Sequence, residues 1–130
     1  MRKKIILNGN NFSNLSEFYD EVEKVFTKDL NWKIGRNPNA LNDILWGGFG
    51  LHDYEEPIII CWKNSEKSKK DFGYTETIKY FENILKTCHP SNELHVKEKL
   101  EHAKHNISKT LFDIILDIIK NHKNIELILD

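Results

Sequence analysis

Asn39, Asn42, Asp43 and Trp46 recur at i, i+3, i+4 and i+7, the spacing that lines side chains along one side of an α-helix. The helix they would ride on is well punctuated. Asn37 can cap its first turn, Pro38 has the fixed φ that suits the first helical position, and Gly47-Gly48 ends it. Leu41, Ile44 and Leu45 supply the opposite, apolar face. A carboxylate held on such a helix can meet cations through charge-assisted hydrogen bonds, and an indole beside it offers a large area to cover. Trp46 on this polar face leaves two readings open: the ring folds back on the glycine loop, or another protein covers it.

The surroundings are short of cations. No Lys or Arg occurs from Asn37 to Trp62, where even composition would place about four. The same window carries Asp43, Asp53, Glu55 and Glu56, with His52 counted neutral. An acidic patch next to an exposed aromatic would steer a basic partner, less so at high salt. A plain solvated acidic loop has the same composition.

Other chemistry is less well supplied. Glu98, His102 and His105 can share a helical face near His89 and His95, but zinc needs three or four rigidly held ligands and this stretch has the make-up of a solvated helix. Cys88 and His89 are adjacent in sequence, a spacing at which side chains seldom face each other, and Pro90 follows. Asp43 with Glu55 or Glu56 could form an acid–base pair, yet no matching nucleophile accompanies them. Lys63, Lys67, Lys69 and Lys70 beside Trp62 suggest RNA contact only until Glu66 and Asp71 are counted; Ser65 to Asp71 reads as a polar connector. Gly47-Gly48-Phe49-Gly50 lacks the spacing and lysine of a phosphate loop. No cofactor, metal or enzymatic activity is expected.

The elements that must position these residues follow from periodicity. With 130 residues, 39% of them hydrophobic, a single domain spanning 1–130 is expected. Lys plus Arg total 19 and Asp plus Glu 20, a balance that excludes a generally basic nucleic-acid binder or a polybasic membrane protein. The start, MRKKIILNGNNF, has too short an apolar run for a signal peptide, and no run suits a membrane span, so a cytoplasmic protein is expected. Cys61 and Cys88 are too few for a disulfide scaffold.

Ile5-Ile6-Leu7, Pro57 to Trp62 and Ile125 to Leu129 read as strands. Pro57 to Trp62 is apolar on both faces, as a central strand covered on two sides would be. Leu15, Phe18, Val22, Val25 and Phe26 mark a helix capped by Asn14 or Ser16. Tyr74, Ile78, Phe81, Leu85 and Cys88 mark another. A charged helix over 92–104 turns Val96, Leu100 and Ala103 inward, and Leu111, Ile114, Ile115, Ile118 and Ile119 form a helix capped by Ser108. The expected class is α/β: a small three-stranded parallel sheet with right-handed crossovers and about five helices.

Taken in order, these residues carry a resemblance. Gly35-Arg36-Asn37-Pro38-Asn39-Ala40-Leu41-Asn42-Asp43-Ile44-Leu45-Trp46-Gly47-Gly48 is similar to the Gly-x-Asn-Leu-Asp-Ala-Leu-x-Asp signature of the barstar family of intracellular ribonuclease inhibitors. Asn8-Gly9 after the first strand, the strand with Pro57 and Trp62, and the final Ile125–Leu129 occur in matching order. The resemblance implies a barstar-like fold and an inhibitor or immunity protein that plugs a cytotoxic ribonuclease, its carboxylates standing where RNA phosphates would lie. Asp43 falls on the central inhibitory carboxylate, Asn39 on a second acidic contact, Asn42 on an aromatic contact and Trp46 on a small hydroxyl contact. Asp117 and Asn121 fall on acidic interface residues, and Lys33 lies where the family offers a tyrosine.

The departures redirect the expectation. Two acidic contacts are asparagines here, the loop from Gly47 to Glu56 is longer and more acidic, and the charged helix around 92–104 is an extension. The expected partner is therefore a basic ribonuclease or nuclease toxin other than the family's classical target, met by a free monomer through Asn39, Asn42, Asp43, Trp46, Asp53, Glu55, Glu56, Asp117 and Asn121. A regulatory protein–protein contact using the same surface is the alternative.

Overall fold

Three short strands lie parallel in the order β1-β2-β3, with β1 spanning Lys3–Asn8, β2 Ile58–Lys63 and β3 Ile125–Leu129. The computed structural model describes residues 2–27, 35, 37–48 and 52–130. Ile5 pairs with Ile60 and Leu7 with Trp62 on one side of the central strand; Ile125 and Leu127 pair with Ile58 and Ile60 on the other. These residues share one sheet face, as the two-residue period of a strand requires.

That face carries the core. Trp62 is fully buried, stacked on Phe18 at 5.6 Å and met edge-on by Phe12 and Phe112. The opposite face is different from the two-sided cover that the sequence of β2 predicts. It holds Ile6, Cys61 and Ile128 in register, and while Cys61 is buried, Ile6 and Ile128 are exposed at the two edge strands. The apolar run of β2 reflects its central place between two strands more than a second covering layer.

Among the described residues six α-helices surround the core: α1 (Leu15–Thr27), α2 (Pro38–Trp46), α3 (Ser65–Asp71), α4 (Tyr74–Thr87), α5 (Glu93–Lys104) and α6 (Leu111–Lys120). Asn14 caps α1, its Oδ1 accepting the Glu17 amide at 2.9 Å. α3 is a correction, since Ser65 to Asp71 reads as a connector. Its small polar side chains face inward for specific reasons. Ser68 accepts the Trp62 indole N–H at 2.9 Å, and Lys67 donates to the Gly9 and Phe12 carbonyls at 3.1 and 2.8 Å. Gly9 permits this close approach, because a Cβ there would stand 2.6 Å from the Lys63 carbonyl oxygen.

α5 packs on α4, and Val96, Leu100 and Ala103 are buried as its pattern predicts. The cap of α6 is Thr110 rather than Ser108. Thr110 Oγ1 accepts the Asp113 amide and Asp113 accepts the Thr110 amide, both at 3.3 Å. Ser108 stands two residues too early, its carbonyl taken by the Tyr74 hydroxyl at 2.6 Å. α2 packs against α6, and α6 leads directly into β3. The site is therefore assembled from elements far apart in sequence.

Candidate partner-binding site

α2 is built as its sequence dictates. Asn37 Oδ1 accepts the Ala40 amide at 2.9 Å, Pro38 opens the helix, and Leu41, Ile44 and Leu45 are buried. Gly47 stops it at φ +104°, its amide donating to the Ile44 carbonyl at 3.2 Å. Asn39, Asn42 and Asp43 are left on the exposed side. Among the described residues Asp43 has no hydrogen-bond or ion-pair partner, so its charge is free for another molecule.

Trp46 is half-buried, not standing alone in water. One side of the indole stacks on Tyr54 at 5.9 Å, and His122 meets it edge-on at 4.5 Å. Asn42 is tied to the same histidine, with Oδ1 2.7 Å from His122 Nε2. The stripe of the helix thus divides by function. Asn39 and Asp43 face outward, while Asn42 and Trp46 grip the turn that follows α6.

The loop after α2 is pinned to the helix end. Gly48 donates to the His52 carbonyl at 2.8 Å and Glu55 donates to the Trp46 carbonyl at 2.7 Å. His52 is buried, its Nε2 3.1 Å from the Leu45 carbonyl and its ring edge-on to Phe26. Glu56 accepts the Asp53 amide at 2.9 Å and pairs with Lys3 at 3.4 Å. The Asp53 amide chiefly holds the Glu56 carboxyl below its ordinary value; burial opposes it, and the Lys3 ammonium adds to the lowering.

The acidic window is therefore partly neutralised by the fold. Glu56 works inside the loop with Lys3, and Asp117 on α6 is paired with Lys109 at 2.5 Å. That contact raises the Lys109 pKa through hydrogen bonding and charge. Asp43, Asp53 and Glu55 keep their charges without an ion pair among the described residues. A cavity of about 420 Å³ is lined by Trp46, Glu55, Asn121, Lys123 and Asn124. It joins the end of α2, the loop and the turn before β3, and Glu55 and Lys123 both line it without an ion pair between them.

Four residues of this site escape sequence reasoning. Tyr54 is 67% exposed and forms the outer half of the aromatic pair. His122 and Asn124 hold the C-terminal turn against α2 and the loop, Asn124 donating to the Glu56 carbonyl at 3.1 Å. His52 pins the loop. The available signal is only that each lies next to a residue already singled out. Lys33 lies outside the described residues, as do Arg36 of the signature and residues 49–51 of the loop.

Competing sites do not assemble. Cys88 Sγ turns to the Leu85 carbonyl at 3.7 Å while His89 Nδ1 lies 2.7 Å from Ser91 Oγ, so thiol and imidazole do not meet. Among the described residues no group of three or more His, Cys, Asp and Glu side chains is arranged to hold a metal. Trp62 lies in the core, away from any RNA. No described helix is long and apolar enough to cross a membrane.

The family model for barstar, described as barnase inhibitor, matches residues 2–111. The chain belongs to the barstar family. A comparison with curated proteins gives no match. The barstar match takes in α2, the pinned loop and the extension around 92–104, and it ends at the first residue of α6. Asp117, Asn121 and His122 lie beyond it; Asn121 and His122 meet α2 and its loop at the Trp46 cavity, whereas Asp117 is paired with Lys109.

Proposed function

We propose that this barstar-family chain inhibits a basic, cytotoxic ribonuclease by seating α2 and its loop in the enzyme's active site. The observation that carries the reading is Asp43: an exposed carboxylate with no ion-pair partner among the described residues, on a helix fixed at both ends and backed by a buried face. A ribonuclease must hold phosphates in a preformed cationic pocket. A carboxylate delivered to that pocket on a rigid support forms charge-assisted hydrogen bonds with little ordering cost. Tyr54 and Trp46 then supply aromatic area beside it, and Asn39 offers uncharged hydrogen bonds.

Approach is steered by Asp43, Asp53 and Glu55, whose charges are uncompensated among the described residues. Glu56 and Asp117 contribute less to the field because Lys3 and Lys109 sit on them. Asn121 borders the aromatic cavity and meets the partner at its rim. The classical target is a poorer match, since two carboxylate positions implied by the family resemblance are Asn39 and Asn121 and Asn42 is engaged within the fold. No cofactor takes part, and the free protein acts as a monomer in the cytoplasm of the cell that makes the enzyme.

A second reading is favoured by that same loss of charge: a contact surface of mixed aromatic and acidic character suits a regulatory partner that cleaves nothing. The two readings separate when the chain captures its partner and the released partner is assayed on RNA. Cleavage that is suppressed by adding the chain back supports inhibition. A captured partner without RNA-cleaving activity supports regulation.

A further inference from the structure

His122 follows α6 after the Asn121 cap and is 1% exposed. It touches α2 twice. Nε2 lies 2.7 Å from Asn42 Oδ1, and the ring packs edge-on against Trp46 at 4.5 Å. Asn42 and Trp46 are one helical turn apart, so one side chain grips adjacent positions of the partner-facing helix. The other ring nitrogen, Nδ1, is buried with no hydrogen-bond partner. A carbonyl oxygen at Nε2 calls for an N–H there, which makes the fitting form the neutral tautomer with a bare Nδ1.

We propose that His122 is a positioning residue for the binding face of α2, and that it locks the helix only as neutral imidazole, so that acid releases it. Protonation would put an N–H on Nδ1 where no acceptor waits, and a full charge where water is excluded. Burial holds the His122 pKa below its ordinary value. The charged and titratable groups on the elements around it are Asp43 on α2, His52, Asp53, Tyr54, Glu55 and Glu56 in the loop, Asp113, Asp117 and Lys120 on α6, and Lys123 in the turn. None of them hydrogen-bonds or ion-pairs with the imidazole among the described residues, and Asp117 is occupied by Lys109.

The sign follows. An unlocked His122 takes up a proton near its ordinary 6.5, whereas the locked one does so only at lower pH. The locking contribution is complete above that ordinary value and is lost as pH falls through the lower, locked-state value. Weaker partner binding in acid is a consequence that rests on the function proposed above; the lock itself is a property of the free chain.

The test is NMR on the intact chain between about pH 7.5 and pH 5. We expect the His122 imidazole in the Nε2–H form, with a titration midpoint below the ordinary histidine value of 6.5. The Trp46 indole and Asn42 side-chain amide signals should shift with the same midpoint. Hydrogen exchange, corrected for intrinsic rates, should show α2 opening more often by up to about tenfold per pH unit on acidification. His122→Gln, whose amide can still donate to Asn42, should keep α2 closed at neutral pH and flatten that dependence. A His122 that titrates at or above that ordinary value, or α2 signals whose acid response survives in His122→Gln, would overturn the proposal. The wild-type tautomer and midpoint decide the matter even where the variant fails to fold. No partner is needed, so a failed lock and a failed inhibitor reading are seen separately.

Discussion

At the scale of single residues, Asp43 and Asn42 show how neighbours on one helix come to different work. Both are exposed positions of α2, yet Asn42 is spent on His122 while Asp43 is left free. Asp43→Ala should therefore leave thermal stability nearly unchanged and weaken partner binding by about 2–5 kcal/mol, a range measured in part on this family's own complex. Titration calorimetry with the captured partner checks the second half, and a melting curve the first. The charge of Asp43 was legible in the sequence because helical spacing and the absence of nearby Lys and Arg are local facts. The grip of His122 was not, because it joins residues 80 positions apart and no pattern along the chain announces such a contact.

Among elements, the ends of the helices decide how firmly the site is held. Gly47 closes α2 at φ +104°, and a Cβ there would lie 2.3 Å from the Asp53 carbonyl oxygen. Gly47→Ala combines a left-handed backbone with a clash against main chain, so it should cost about 1–3 kcal/mol and detach the loop from the helix end. A denaturant melt together with loss of the Glu55 amide's exchange protection would register both effects. Thr110→Ala removes half of the reciprocal cap on α6, and a loss of about 1 kcal/mol is expected from the same melts. Reading α2 from Asn37, Pro38 and Gly47 succeeds because each signal sits within one turn of the boundary it sets. Reading α3 as a connector fails because its serines and lysines are ordered by tertiary bonds, Ser68 to Trp62 and Lys67 to the Gly9 and Phe12 carbonyls. Thr110 and Ser108 show a smaller version of this, since both are good caps and the tertiary bonds of Leu111 to Thr77 and of Ser108 to Tyr74 choose between them.

For the whole molecule, the question is how a chain of net charge −1 attracts a basic enzyme. The answer lies in where cations fall. Lys3 and Lys109 are drawn onto Glu56 and Asp117, leaving Asp43, Asp53 and Glu55 uncompensated among the described residues. Glu55→Gln should slow association at low salt, with the difference shrinking as salt approaches physiological strength and dissociation little changed. Stopped-flow mixing at several salt concentrations measures this. Glu56→Gln is a poorer probe of steering, because it also disturbs the Asp53 amide and the shape of the loop. The parallel α/β arrangement was legible from three apolar runs separated by helical periodicity. The open second face of the sheet was not, since β2 is equally apolar whether a strand or a layer covers it.

Inhibition through Asp43 is tested most directly by parallel affinity capture from the native cell extract and culture fluid with wild-type chain and a folded Asp43→Lys variant. Each eluate is then assayed for RNA cleavage with and without added wild-type chain. RNA-cleaving activity is expected in the wild-type eluate alone, silenced when the chain is added back. Equal capture by both baits, or a reproducible partner that cleaves no RNA, would contradict inhibition through Asp43.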